Sequence, residues 1–325
     1  MFEILKKTKP DSNLMWATRQ QYHYVQEIAS NFKGLTGEKF VRKFLKAFGV
    51  TGAPIFINLD HNVSGRSLNE AKKVVRELEA IVTSTAGLVS GYKLNFQSLL
   101  TFLVAGKVAF VDRIKSLYSE NCELNYGVKI EPVVWLDQKL GDIPSTNFQA
   151  ADILYKLGFD AIHVLPQMGP DSVGAVQLAA DNNKKAGVIH VINLTHKGYE
   201  YVKNEYFGDA NVLQKLRENA LGKSRYVVEV DAGRENVPIK ASGVIEPANR
   251  PYELYEGYVN TYGKKCMIIS IGIGPQGALP GCALYAGATC EGIGRFIFKG
   301  IYGIDSQANI TKKTELSRQC ALLAL

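Results

Sequence analysis

Eight short apolar runs rich in β-branched residues recur along the chain, near 54–60, 86–93, 132–137, 160–165, 188–194, 242–246, 267–272 and 290–293. They are apolar throughout rather than alternating, which is the pattern of parallel strands buried on both faces. Longer stretches with helical periodicity separate them. After Ser67 and Glu70, which form a capping-box pattern, Ala71, Val74, Val75, Leu78 and Ile81 recur at three- and four-residue spacing. Eight strands with intervening helices predict an α/β fold, a (β/α)8 TIM barrel.

Two regions exceed a minimal barrel. Residues 1–50 precede the first run and are read as an N-terminal helical extension, with 51–325 as the barrel domain. Within the extension Phe40, Phe44 and Phe48 stand four apart with Lys39, Arg42, Lys43 and Lys46 between them. That spacing predicts an amphipathic helix covering the bottom of the barrel, with a partner-binding or RNA-binding arm as the alternative. Near 224–241, two β-rich segments flank Asp231-Ala232-Gly233-Arg234 and predict a hairpin insertion. The alternative is a sixth strand that begins at Tyr226.

The formal charge of +7 comes from scattered basic residues and pairs such as Lys6-Lys7 and Lys184-Lys185. Without a long basic tract, a solvated surface and an anionic small ligand suit it better than a nucleic-acid partner. Five cysteines, an odd number with no Cys-x-x-Cys spacing, predict neither a zinc site nor a secreted disulfide scaffold. An intracellular disulfide stays open. The N-terminal residues lack a signal-peptide apolar core, and the apolar stretch 99–111 is short and broken by Lys107. These features predict a cytoplasmic protein without a membrane span.

The chemistry concentrates in Asp137-Gln138-Lys139-Leu140-Gly141-Asp142-Ile143-Pro144-Ser145-Thr146, which follows the apolar Val133-Val134-Trp135-Leu136. On an extended strand Asp137 and Lys139 point to the same side. Flanking carboxylates favour the protonated form of a lysine, and such a lysine can donate a proton to a carbanion. In a barrel the site lies at the C-terminal ends of the strands. Polar residues at other strand ends are Asp60, Lys93, Thr195, Gln276, Gly294 and Arg295, the last three within glycine-rich segments. His196 is read as a structural or loop residue.

The pattern Asp-x-Lys-x-x-Asp-Ile-Pro-x-Thr resembles the orotidine 5'-phosphate decarboxylase family, and the resemblance spans roughly residues 54–305. It implies conversion of orotidine monophosphate to uridine monophosphate and carbon dioxide, without metal or organic cofactor. It also implies catalytic roles for Lys93, Asp137, Lys139 and Asp142. Asp60 and Thr146 would contact the ribose, and Thr195, which stands where the family usually has serine, the pyrimidine. Gln276, Gly294 and Arg295 would form a phosphate half-site, helped by the following helix N-terminus, and 276–288 a mobile lid. Ile271 departs from the family's frequent proline. Asp142 and Thr146 would serve the site of a second copy, which implies a homodimer. A related sugar-phosphate decarboxylase or aldolase and a non-catalytic nucleotide-binding barrel are the alternatives.

Overall fold

A computed structural model describes residues 3–7, 12–60, 67–195, 198–201, 211–230, 233–300 and 303–323. Ten of its strands matter here: β1 (Ile55–Leu59), β2 (Gly91–Asn95), β3 (Val133–Leu140), β4 (Ala161–Val164), β5 (Gly187–Val191), β6 (Leu221–Val230), β7 (Gly233–Lys240), β8 (Gly243–Pro247), β9 (Met267–Ile271) and β10 (Cys290–Ile293). Eight close into a parallel barrel in the order β1-β10-β9-β8-β5-β4-β3-β2. All eight predicted runs are barrel strands, displaced by a few residues at most. β1, β5, β8 and β10 are buried at every position, which is why they read as unbroken apolar runs.

β6 and β7 pair antiparallel outside the barrel, so the predicted hairpin exists and the barrel's sixth strand is β8, not a run from Tyr226. The hairpin has its own small core, in which Val228, Val230 and Val237 meet Ala175. That contact lies on helix α8 (Pro170–Asn182), numbered in chain order after α1 (Glu3–Lys7), α2 (Ser12–Ser30), α3 (Glu38–Thr51), α4 (Leu68–Thr85), α5 (Phe96–Val104), α6 (Phe110–Tyr126) and α7 (Pro144–Lys156). Ser67 caps α4: its hydroxyl accepts from the Glu70 amide at 3.3 Å and donates to the Glu70 carboxylate at 3.0 Å.

The N-terminal end of the barrel is closed by α2 and α3. Phe40, Phe44 and Phe48 are fully buried, and the Phe40 ring meets Trp135 edge-on with centroids 5.8 Å apart. Phe56 lies 4.5 Å from the same indole, inside the barrel, where a Cβ on Gly292 would come within 2.3 Å of its ring. The interior is therefore a packed core and not a pore. Gln21 ties α2 to the barrel by donating to the Thr289 carbonyl at 2.8 Å.

Lys43, one of the basic residues between the phenylalanines, turns out to be an anchor. Its ammonium donates to both oxygens of Asp160 at 3.1 and 3.0 Å, and Lys115 approaches the same carboxylate at 3.7 Å. Asp160 is 1% exposed and also accepts from the Val134 amide at 2.9 Å. Asp160→Ala is expected to cost about 3 kcal/mol in urea unfolding, because it leaves one buried amide unpaired and takes their buried carboxylate from two half-buried ammoniums, of which Lys43 keeps Glu131 and Lys115 the Gly158 carbonyl. Asp160→Asn, which keeps an acceptor for that amide, should cost less. A loss below about 1 kcal/mol for the alanine variant would show that α3 is held by its phenylalanines alone.

Candidate active site

The strand ends opposite α3 surround a cavity of about 520 Å³. β2 and β3 supply its charged wall. Lys93 Nζ donates to Oδ2 of Asp137 at 2.8 Å, and Lys139 Nζ donates to Oδ1 at 2.5 Å. Lys93 and Asp137 are 5% and 7% exposed, whereas Lys139 keeps more than a third of its side chain open to the cavity. Burial pushes the Asp137 carboxyl up, but Lys93, then His163 and Lys139, outweigh it and hold the group well below the usual carboxylate range. Asp137 is therefore an anion, and two ammoniums neutralise it.

The route by which Lys139 reaches Asp137 differs from simple alternation. Lys139 has φ of 52°, in the left-handed region, and the pairing of β3 with β4 slips between Leu136 and Leu140. This bulge re-aims the strand end, so that Gln138 lines the cavity together with both of its charged neighbours. A non-glycine residue in this conformation stores strain of order 1 kcal/mol, which the ion pair helps to hold.

Opposite this wall stand Thr195, Gln276, Gly294 and Arg295, all of which line the cavity, with Asp60 beside them. Arg295 is exposed at the mouth. Gly274 has φ of 85°, and a Cβ there would come within 2.6 Å of Phe296, so this turn requires glycine. The helix after Gly294, Arg295–Phe298, is a single turn, so positive charge there rests on the Arg295 guanidinium and a few amides. Asp60 Oδ1 and Asn58 Oδ1 are buried without a hydrogen-bond partner. Burial raises the Asp60 carboxyl, with Lys93 and Arg295 opposing. Two orphaned acceptors on one wall are where a ligand's hydroxyl groups would bind.

One expectation needs correction. The predicted lid at 276–288 is a folded segment. Its amides at Gly281 and Ala283 each donate at 2.8 Å to the buried Glu291 carboxylate, and Ala283, Leu284 and Ala288 are buried. Only its beginning, at Gln276, faces the cavity. Asp142 and Thr146 are exposed and do not line the cavity of their own chain. Asp142 is occupied locally, with Oδ1 accepting from the Ile143 amide at 2.7 Å. His196 falls outside the described residues. All five cysteines are free, and no helix among the described residues is long and apolar enough to cross a membrane.

The sequence reading does not anticipate Asn58, Gln138 or His163 as cavity residues. His163 is 1% exposed on β4, with Nδ1 3.1 Å from Asp137 Oδ1. The signal in the sequence is a lone histidine inside Ala161-Ile162-His163-Val164, one residue before the strand end.

Residues 128–288 match the family model described as Orotidine 5'-phosphate decarboxylase / HUMPS family. That span includes Asp137, Lys139 and Gln276, while Asp60, Lys93 and Arg295 lie outside it and join them only in the folded cavity. The orotidine 5'-phosphate decarboxylase of Methanosarcina acetivorans is 30% identical over 196 residues, which cover 58% of this chain and 77% of that protein. Among solved structures, the orotidine 5'-phosphate decarboxylase of Pyrococcus horikoshii aligns over 82% of this chain and 98% of its own, with 22% identity and a TM-score of 0.57. The Methanocaldococcus jannaschii enzyme in complex with an inhibitor aligns over 83% and 98%, with 20% identity and a TM-score of 0.59. At such identities the structural likeness speaks for the barrel alone, and the Methanosarcina match adds the kinship: the chain belongs to the orotidine 5'-phosphate decarboxylase family.

Proposed function

We propose that this protein decarboxylates orotidine 5'-monophosphate to uridine 5'-monophosphate and carbon dioxide, in the pyrimidine synthesis of the cytoplasm. The observation that carries the reading is the Lys93–Asp137–Lys139 array at the ends of β2 and β3, which faces Gln276 and Arg295 across one cavity. Arg295 and Gln276 hold the phosphate, with the Gly294 backbone close enough for its amide to approach. Asp60 and Lys93 take the ribose hydroxyls, with Thr146 of a second copy. Thr195 reads the pyrimidine.

In this pose the 6-carboxylate of the substrate lies beside Asp137 and carbon 6 beside Lys139. The bond from carbon 6 to the carboxylate carbon breaks, its electron pair stays on carbon 6, and carbon dioxide leaves. The Lys139 ammonium stands against the developing charge and then gives a proton to carbon 6. The net reaction consumes one proton. A fixed charge aimed where charge develops is usually the largest catalytic contribution. Phosphate binding at Arg295, far from the reacting carbon, can be used to align it.

The same reading makes the active unit a homodimer. Asp142 and Thr146 stand exposed at the start of α7, beside Ile143 (62% exposed) and Met168 (55% exposed). Apolar side chains left in water next to motif residues suit the docking of a second copy.

Loss of orotidine monophosphate absorbance, followed with and without EDTA, tests the activity. Turnover is expected to persist in the chelator, because the charge facing carbon 6 is an ammonium. Activity lost in EDTA and restored by magnesium would favour a sugar-phosphate lyase instead.

A further inference from the structure

We propose that His163 recognises the 6-carboxylate of the substrate by taking up a proton as that group enters the cavity. The inference rests on the decarboxylase reading above. His163 is the one polar residue of β4, and its ring lines the cavity. Nδ1 is 3.1 Å from Asp137 Oδ1, the oxygen that also accepts from Lys139, though its line of approach is poor for a hydrogen bond. Nε2 has no partner. The neighbouring lining is apolar, with Val191 on β5 and Ile245 on β8. A buried ring with one nitrogen near a carboxylate and the other unpartnered, beside an apolar stretch of the cavity lining, calls for a ligand atom there.

The charges facing the ring are Asp137 and Lys139 on β3 and Lys93 on β2, while its register partner on β5 is the apolar Ile189. In the empty cavity burial lowers the imidazole below its ordinary range, with Asp137 opposing and the two lysines assisting. The ring is then neutral at pH 7. A second carboxylate reverses the balance, because anions on two sides of an imidazole favour the imidazolium. The sign follows. A proton is gained on binding, so preference for a carboxylate-bearing nucleotide rises as pH falls. A nucleotide that lacks the 6-carboxylate gains nothing. Once carbon dioxide has left, the second anion is gone and the imidazolium returns its proton to water. Carbon 6 still receives its proton from Lys139, so His163 determines specificity and forms no bond to the reacting carbon.

The test compares kcat/KM for orotidine monophosphate with the inhibition constant of uridine monophosphate, from about pH 5.5 to 9, a range that brackets imidazole titration. Multiplying the two cancels the titration of the phosphate that both nucleotides carry. In the unaltered protein the product should fall about tenfold per pH unit at the alkaline end, as loss of one proton requires. In His163→Leu and His163→Gln it should be flatter by that one proton, and at the acid end about 10- to 100-fold lower, for one lost charge-assisted hydrogen bond. Melting curves establish that each variant is folded, and the glutamine variant carries the test if leucine disrupts β4. The same slope in either folded variant, or no slope in the unaltered protein while it turns over, would overturn the role of His163 alone. No turnover by the unaltered protein would sink the decarboxylase reading, and this inference with it.

Discussion

Lys139→Ala is expected to abolish measurable turnover while leaving the fold and nucleotide binding in place. The substitution removes two contributions at once. In the proposed role of proton donor the residue would account for about 10²–10⁴ in rate, and as the charge facing the carbanion for about 10²–10³, so kcat should fall by at least ~10⁴. Stability should change little. The side chain is 39% exposed, and without it Asp137 keeps Lys93 at 2.8 Å and His163 at 3.1 Å. A melting temperature within about 4 °C of the unaltered protein is expected for a domain of this size. Arg295→Ala makes the contrast. It stands at the mouth, away from Asp137, and loses a charge-assisted phosphate contact worth about 2–4 kcal/mol. Its effect should appear mainly in KM. Steady-state kinetics on both variants separate the roles, and near-normal turnover in Lys139→Ala would show that another group protonates carbon 6.

What could be read from the sequence follows from how each feature is encoded. Buried parallel strands leave local, contiguous signatures, so the barrel order was available from eight apolar runs. The rule that strand ends carry the site then located Asp60, Lys93, Asp137, Lys139, Thr195, Gln276, Gly294 and Arg295, every one of which lines the cavity. The bulge at Lys139 is hidden in the sequence, because no glycine or proline marks it and it shows only as a slip in the pairing of β3 with β4. The glycines at 277, 281 and 287 read as hinges of a lid. They instead supply positive φ of 99°, 96° and 99° for tight turns in a segment anchored by Glu291, a tertiary contact with no local signature. His163 carries no local mark of function, because a histidine inside an apolar run more often fills a core. Only the register of β4 against β3 reveals that it approaches the same Asp137 oxygen as Lys139.

Mixing two inactive variants should restore activity. Lys93 is buried at the end of β2, with its ammonium on Asp137 of its own chain, so Lys93→Ala damages the site of the chain that carries it. Asp142 is exposed, outside the cavity of its own chain and at the start of α7, where Ile143 also stands in water. If Asp142 completes the site of a second copy across a two-fold axis, Asp142→Ala damages the partner's site instead. Each homodimer of a single variant then has two defective sites and should be inactive. In a heterodimer both lesions fall into one site, and the other site is built from an intact Lys93 and an intact Asp142. Random pairing after unfolding and refolding together yields about half heterodimers, each with one working site, so roughly a quarter of the unaltered activity should return. The measurement is turnover of the refolded mixture, with heterodimers verified by differential tags. Verified heterodimers without activity, or a fully active monomer at low concentration, would show that Asp142 serves its own chain through a movement of the segment between β3 and α7.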